Sequence, residues 1–337
     1  MLCHQRVTRI SLDSNHMAPM KRSSGKLRVN CSESLDTATS KARSLTPNKL
    51  ITISDLPEWH YRCEFKHKGY RSPNSTVSNY LFSLFTLHNE TVDIWTHLIG
   101  ATCHFFAIFL LFTGSYPFET MHLGSVSITD ACIMITSLIG NSFIMFTCSW
   151  LAHLSYPYSE RWHGIIWRMD QFGVVSSLCG ASLGWGYYAL MCSPMLQKLY
   201  VIFTLLLVVG TLGIMVIKYP AVTNNNGHPK GGKAYIPLVV VGILGWGSAF
   251  ALPWITNVPD TLNKGIRIIE KSGCCVFVGF VFYVSKVPER WFPGYFDYVF
   301  SSHNIWHVAL IVACTVYATG LITLYQATQD AQAECLV

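Results

Sequence analysis

The sequence predicts an all-α membrane protein with seven transmembrane helices, its N-terminus cytoplasmic and its C-terminus outside, preceded by a disordered tail and a short amphipathic helix. Three observations lead there. Hydrophobic residues make up 51% and charged residues 12% of the 337, where a soluble domain carries roughly 25% charge. The charge is also segregated: residues 1–80 hold 13 Lys/Arg and 6 Asp/Glu, while the remaining 257 hold 11 and 12. Finally, seven apolar stretches have the ~20-residue length that crosses a bilayer as helix. A soluble globular enzyme is excluded. So is a nucleic-acid binder, because the basic residues lie outside the apolar body with few aromatics among them.

Residues 1–55 are rich in Ser, Thr, Lys and Arg and read as a disordered basic cytoplasmic tail with no capacity for a core. The first twenty residues lack the roughly 7–15-residue apolar run of a cleavable signal peptide. Residues 56–90 mix aromatics with charges and read as a partly ordered juxtamembrane segment, with an amphipathic helix at Ser78–Leu87 lying on the membrane surface. The seven-helix domain spans 91–327, with crossings near 92–114, 126–153, 165–191, 196–217, 235–255, 272–287 and 303–326. Residues 328–337 form a short extracellular or lumenal tail. Most of the 12 cysteines lie in apolar runs with no CxxC pair, and read as small buried residues.

Orientation follows the Lys/Arg bias. With the tail inside, the cytoplasmic side holds 20 Lys/Arg and the opposite side 4. The sequons at Asn30, Asn74 and Asn89 are then expected to stay unglycosylated.

Ionisable side chains inside spans are costly and mark cavities or sites. The candidates are His97, His104, Asp130, His153, Arg168, Asp170, His303 and His307. Single membrane-end histidines, His97, His104 and His163, read as interfacial residues with a wet ring, and Asp130 as solvated. Four groups converge instead. His153 ends the second span, Asp170 opens the third, and His303 and His307 open the seventh, all toward the cytoplasmic leaflet. The i, i+4 spacing of His303 and His307 puts both rings on one helix face. Three neutral imidazoles with an open position are a ligand set for catalytic zinc. A carboxylate opposite them can hold or accept a proton, and Ser149, one turn before His153, can hydrogen-bond a substrate carbonyl.

The motifs LFSLFTLHNETVDIWTHLIG (81–100), SWLAH (149–153), RMDQFG (168–173), VSKVPERWFPG (284–294) and SSHNIWH (301–307) resemble the progestin and adipoQ receptor (PAQR) family, which includes the adiponectin receptors. The resemblance implies zinc ligation by His153, His303 and His307, a zinc-water contact at Asp170, and a site serine at Ser149. Tyr158 and Ser301 replace two histidines of the adiponectin receptors; neither is a ligand in the family. The last two motifs are most similar to the Golgi-resident branch that traps Raf kinase. The implied function is a multi-pass receptor of plasma membrane or Golgi that senses a lipid, steroid or adiponectin-like protein ligand. It would signal through its N-terminal tail to a cytoplasmic protein. The alternatives are a zinc-dependent amidase acting on ceramide-like lipids, and a Golgi scaffold with structural zinc.

Overall fold

The computed structural model describes residues 49–60, 63–114, 127–218 and 258–331, short stretches between 239 and 251, and Cys335. The tail 1–48, the connection 115–126 and most of the expected fifth span lie outside the described residues. A small cap precedes the helices. Strand β1 (Ile51–Thr52) pairs antiparallel with β2 (Lys68–Tyr70), Ile51 opposite Tyr70, so the last residues of the expected tail belong to this cap. Helix α1 (Val77–Ser83) begins where Thr76 accepts from the Asn79 N–H. It covers the first part of the amphipathic helix expected at Ser78–Leu87, starting one residue earlier, and residues beyond Ser83 continue as turns.

The long helices are α2 (Thr91–Thr113), α3 (Ile128–Ser155), α4 (Glu160–Ala189), α5 (Pro194–Lys218), α6 (Asn263–Ser285) and α7 (Ser302–Ala331). Caps set several ends: Ser127 and Ser159 accept the first free N–H groups of α3 and α4, and Gly114, at φ 66°, closes α2 in the left-handed conformation that glycine favours. Among the described residues, α2, α3, α5, α6 with its leading turn, and α7 are long and apolar enough to span a membrane. Helix α4 has the length, but Glu160, Arg161, Arg168, Asp170 and its glycines dilute its hydropathy. The protein is therefore a helical, multi-pass membrane protein with five such helices described.

Close packing follows from small residues. A Cβ on Gly180 of α4 would lie 2.6 Å from the Asn141 nitrogen and 2.7 Å from the Ser137 oxygen, so α3 and α4 touch backbone to backbone. There α3 widens into a π-type turn over Ile139–Ile144, and the Asn141 amide donates to the Ser177 carbonyl at 3.3 Å. Helices α6 and α7 approach through Gly265, whose Cβ would meet the Leu324 backbone at 2.7 Å, and Ser272 donates to the Ala313 carbonyl at 2.7 Å. A buried cluster around Leu138, Trp185, Ile269, Tyr317 and Leu321 fills one half of the bundle. A smaller one around Ala101, Phe146 and Leu310 lies below the polar site. A disulfide joins Cys192, in the α4–α5 turn, to Cys335 beyond α7. The two cysteines are 143 positions apart, with no spacing pattern in the sequence to pair them.

Candidate metal centre

The last turn of α3 presents His153 and the first two turns of α7 present His303 and His307. Their ring nitrogens converge. His303 Nε2 lies 3.3 Å from His153 Nε2 and 3.2 Å from His307 Nε2, and one ligand atom from each lies within 4.8 Å of the others. Tetrahedral zinc with Zn–N near 2.0–2.1 Å requires nitrogen separations of about 3.3 Å. The donor set and its spacing fit such an ion.

The outer nitrogens fix the rings. His153 Nδ1 is 2.6 Å from Glu90 Oε2, and His307 Nδ1 is 3.1 Å from the Asp93 carbonyl. With Nδ1–H donating in both, the Nε2 lone pairs face the centre. Glu90 and Asp93, with His153, form a second group able to hold a cation. Glu90 caps α2 and is nearly enclosed. Burial alone would raise its pKa, but the hydrogen bond and charge of His153 outweigh it and hold the carboxyl below its ordinary range. Asp93 Oδ1 accepts from the Asn304 amide at 2.6 Å, while Oδ2 has no partner among the described residues. Sequence reasoning missed both carboxylates, although they sit in the quoted HNETVDIW segment.

Asp170 of α4 accepts from the Tyr156 hydroxyl at 3.1 Å and from Ser149. Asp170, Ser149 and all three histidines line one cavity of about 890 Å³. The five residues expected at the site therefore share it. The rest of the wall is mostly apolar, including Val174, Leu178, Ile243 and Phe277, and is wide enough for a lipid chain.

The isolated histidines are not wet. His97 is 2% exposed, His104 8% and His163 2%. His97 stacks on the His307 ring at 3.7 Å. His104 meets Phe146 and is 3.3 Å from the Thr315 hydroxyl, and His163 packs on Tyr156 and Trp59. Aromatic stacking inside the bundle replaces the interfacial water the sequence suggested. Asp130 is half-buried at the start of α3, accepting from the Ser127 hydroxyl at 2.6 Å.

The cap is tied to the same helices. Pro157 has no N–H to offer the His153 carbonyl, and the Tyr158 N–H bonds Ser155 instead. Arg71 fills the gap, donating to the His153 carbonyl at 2.5 Å and the Leu154 carbonyl at 2.8 Å. Burial pulls the Arg71 pKa to about 10, so it stays charged at neutral pH. Asp297, in the α6–α7 loop, accepts the His67 N–H at 2.9 Å. Glu289 in that loop accepts the Ser302 N–H at 2.7 Å and its hydroxyl, securing the start of α7.

Residues 85–318 match the family model described as Haemolysin-III related. Similar proteins include "Heptahelical transmembrane protein 3" of Arabidopsis thaliana, 29% identical over 82% of this chain and 87% of that one. "Progestin and adipoQ receptor family member 3" of Mus musculus is 28% identical over 68% and 71%. "Adiponectin receptor protein" of Drosophila melanogaster is 25% identical over 81% and 59%, so the chain spans well under two thirds of the fly protein's length. The resemblance read from the motifs holds at family level.

Proposed function

Because the chain belongs to the Haemolysin-III-related family, which holds these receptor-named relatives, we propose that it is a lipid-responsive membrane receptor with a zinc centre. That centre is held by His153, His303 and His307 near the cytoplasmic face. The observation that carries this reading is the shared cavity. One wall holds the three imidazoles, a second is apolar and lipid-sized, and a third comes from Cys63 and Lys66 of the cap. A lipid seated there contacts the metal-bearing helices and the cytoplasmic segment at once. The named receptors suggest a lipid, steroid or protein ligand, and the cavity favours the lipid. A cytoplasmic partner would read the cap and the basic tail. The site suits either membrane, plasma membrane or Golgi.

A second reading, an amidase acting on ceramide-like lipids, is favoured by Asp170 and Ser149, which line the same cavity. Zinc bound here would supply a Lewis acid and lower the pKa of coordinated water toward ~7. Asp170 is placed to take the proton of the attacking water and pass it to the leaving amine. Tyr156 holds that carboxylate in position. The Ser149 hydroxyl, which bonds Asp170, would turn to donate to the amide oxygen. Amide and water become carboxylic acid and amine. A purely structural zinc fits less well, since closed structural sites use about four protein ligands and three imidazoles face a cavity here.

The test is metal analysis of the purified chain in nanodiscs, followed by lipid binding and ceramide hydrolysis on wild type, His303→Ala and Asp170→Asn. We expect about one zinc per chain, lost in His303→Ala and kept in Asp170→Asn. Product formed by wild type but not Asp170→Asn assigns the amidase; lipid binding without product assigns the receptor. Wild-type protein with no bound metal overturns both.

A further inference from the structure

The loop between α6 and α7, residues 286–301, is apolar on its outer side and tied down on its inner side. Trp291 is 68% exposed, Tyr295 84% and Phe300 71%, with Phe292 exposed beside them. Slack backbone does not explain this. The Gly294 N–H bonds the Phe65 carbonyl at 3.0 Å, and a Cβ on Gly294 would lie 3.0 Å from His67 Nδ1, so the loop packs closely on the cap. The Trp291 N–H bonds the Pro288 carbonyl at 2.9 Å. Asp297 holds the cap, and Glu289 holds the start of α7. Phe300 keeps φ 60°, a left-handed conformation that costs a bulky residue energy, yet its ring stays largely uncovered by protein.

Charge is sorted by side as well. The loop's two carboxylates, Glu289 and Asp297, are buried, whereas Arg290 is exposed. The outer side therefore offers aromatic rings and a cation, with no acid of the loop among them. Such a patch facing water would be an aggregation hazard. Tryptophan and tyrosine sit at the headgroup level of a bilayer, and a basic side chain there is attracted by anionic lipid. The patch also continues the apolar face of the helix before it. Helix α6, long and apolar enough to span a membrane, runs into the loop through exposed Phe277, Val281 and Val284, whose i, i+4, i+7 spacing puts them on one face.

We propose that the 286–301 loop is inserted in the headgroup layer of the leaflet on the cap's side. Trp291, Phe292, Tyr295 and Phe300 lie among the upper chain carbons, and Arg290 pairs with the headgroup of an anionic phospholipid. Because Glu289 bonds Ser302, this anchor is fixed to the helix end that carries His303 and His307.

The experiment reads Trp291 alone, as the difference in tryptophan fluorescence between the full chain and Trp291→Phe in phosphatidylcholine nanodiscs. The expected result is at least about twofold stronger quenching by lipid brominated on the chain carbons near the head than by lipid brominated near the chain end or by aqueous iodide. Brominated phosphatidylserine quenches more than brominated phosphatidylcholine, and Arg290→Gln weakens that preference about fivefold. Tyr295→Trp, read against wild type, gives a second reporter should Trp291→Phe not fold. Full quenching by iodide with none by brominated lipid puts the loop in water and overturns the proposal. Strongest quenching by the chain-end bromines overturns the headgroup depth. A signal shielded from every quencher means that protein, a second copy of the chain, covers the face, and overturns the proposal too. A phosphatidylserine preference that survives Arg290→Gln overturns the anionic pairing.

Discussion

Glu90 Oε2 sits 2.6 Å from His153 Nδ1, a carboxylate from the start of α2 orienting an imidazole at the end of α3. The pair fixes which nitrogen of His153 faces the other two rings. Glu90→Gln keeps the shape and loses the charge. We predict zinc affinity about 10- to 100-fold weaker, measured by competition with a chelator. An unchanged affinity would show that Glu90 does not act through the ligand.

Gly180 packs against the π-type turn of α3, where an added Cβ would lie 2.6 Å from backbone. Gly180→Ala should destabilise the bundle by about 1–3 kcal/mol through overpacking. Gly210 in α5 has nothing within 4 Å, and Gly210→Ala should be neutral or gain up to about 1 kcal/mol of helix propensity. Thermal melting of the two variants in detergent compares them; equal loss would refute the close approach.

Disulfides persist in oxidising compartments, so the Cys192–Cys335 bond gives a test of the outside C-terminus expected from the Lys/Arg bias. An impermeant maleimide, applied to intact cells or sealed Golgi vesicles opened on the lumenal side after an impermeant reductant, should label wild type more than a Cys192→Ser/Cys335→Ser variant. Labelling that requires access from the cytoplasm would reverse the orientation. Asn89, 3% exposed with its N–H on the Gly69 carbonyl, should carry no glycan on mass spectrometry.

His88 is fully buried, and its Nδ1 accepts the Glu90 N–H at 3.1 Å. Burial, reinforced by the nearby Arg71 charge, lowers its pKa from 6.5 to about 3. The unfolded segment binds a proton that the folded one refuses. Its contribution is therefore full above pH 6.5 and is lost as pH falls toward 3. Amide exchange across 63–90, corrected for intrinsic rate, should quicken at pH 5, and His88→Gln should flatten the trend. The same slope in the variant would refute the assignment.

The three histidines were legible because ionisable groups in apolar spans are rare and because four-residue spacing puts His303 and His307 on one face. Glu90 was not. A carboxylate at a span boundary looks like any wet helix end, and only the fold brings it to a residue 63 positions away. Arg71 was hidden in the same way, one of the 13 Lys/Arg of residues 1–80 until the missing N–H of Pro157 gave it carbonyls to bind. His97, His104 and His163 misled because a single ring at a membrane end carries no record of the aromatic rings that enclose it. The described long helices were legible by length and hydropathy, α4 among them, although its polar residues weaken its apolar signal.

The grip of Arg71 on the His153 and Leu154 carbonyls has a consequence for communication. Withdrawing the guanidinium leaves two carbonyls bare in a dry interior, at the turn that carries a ligand. Whatever loosens the strands of the cap would therefore loosen the hold on an ion bound there. By the reciprocity of linked equilibria, filling the centre stiffens those strands by the same free energy. A partner bound to the cap would then sense occupancy of the centre through that stiffness alone, without any helix changing its tilt.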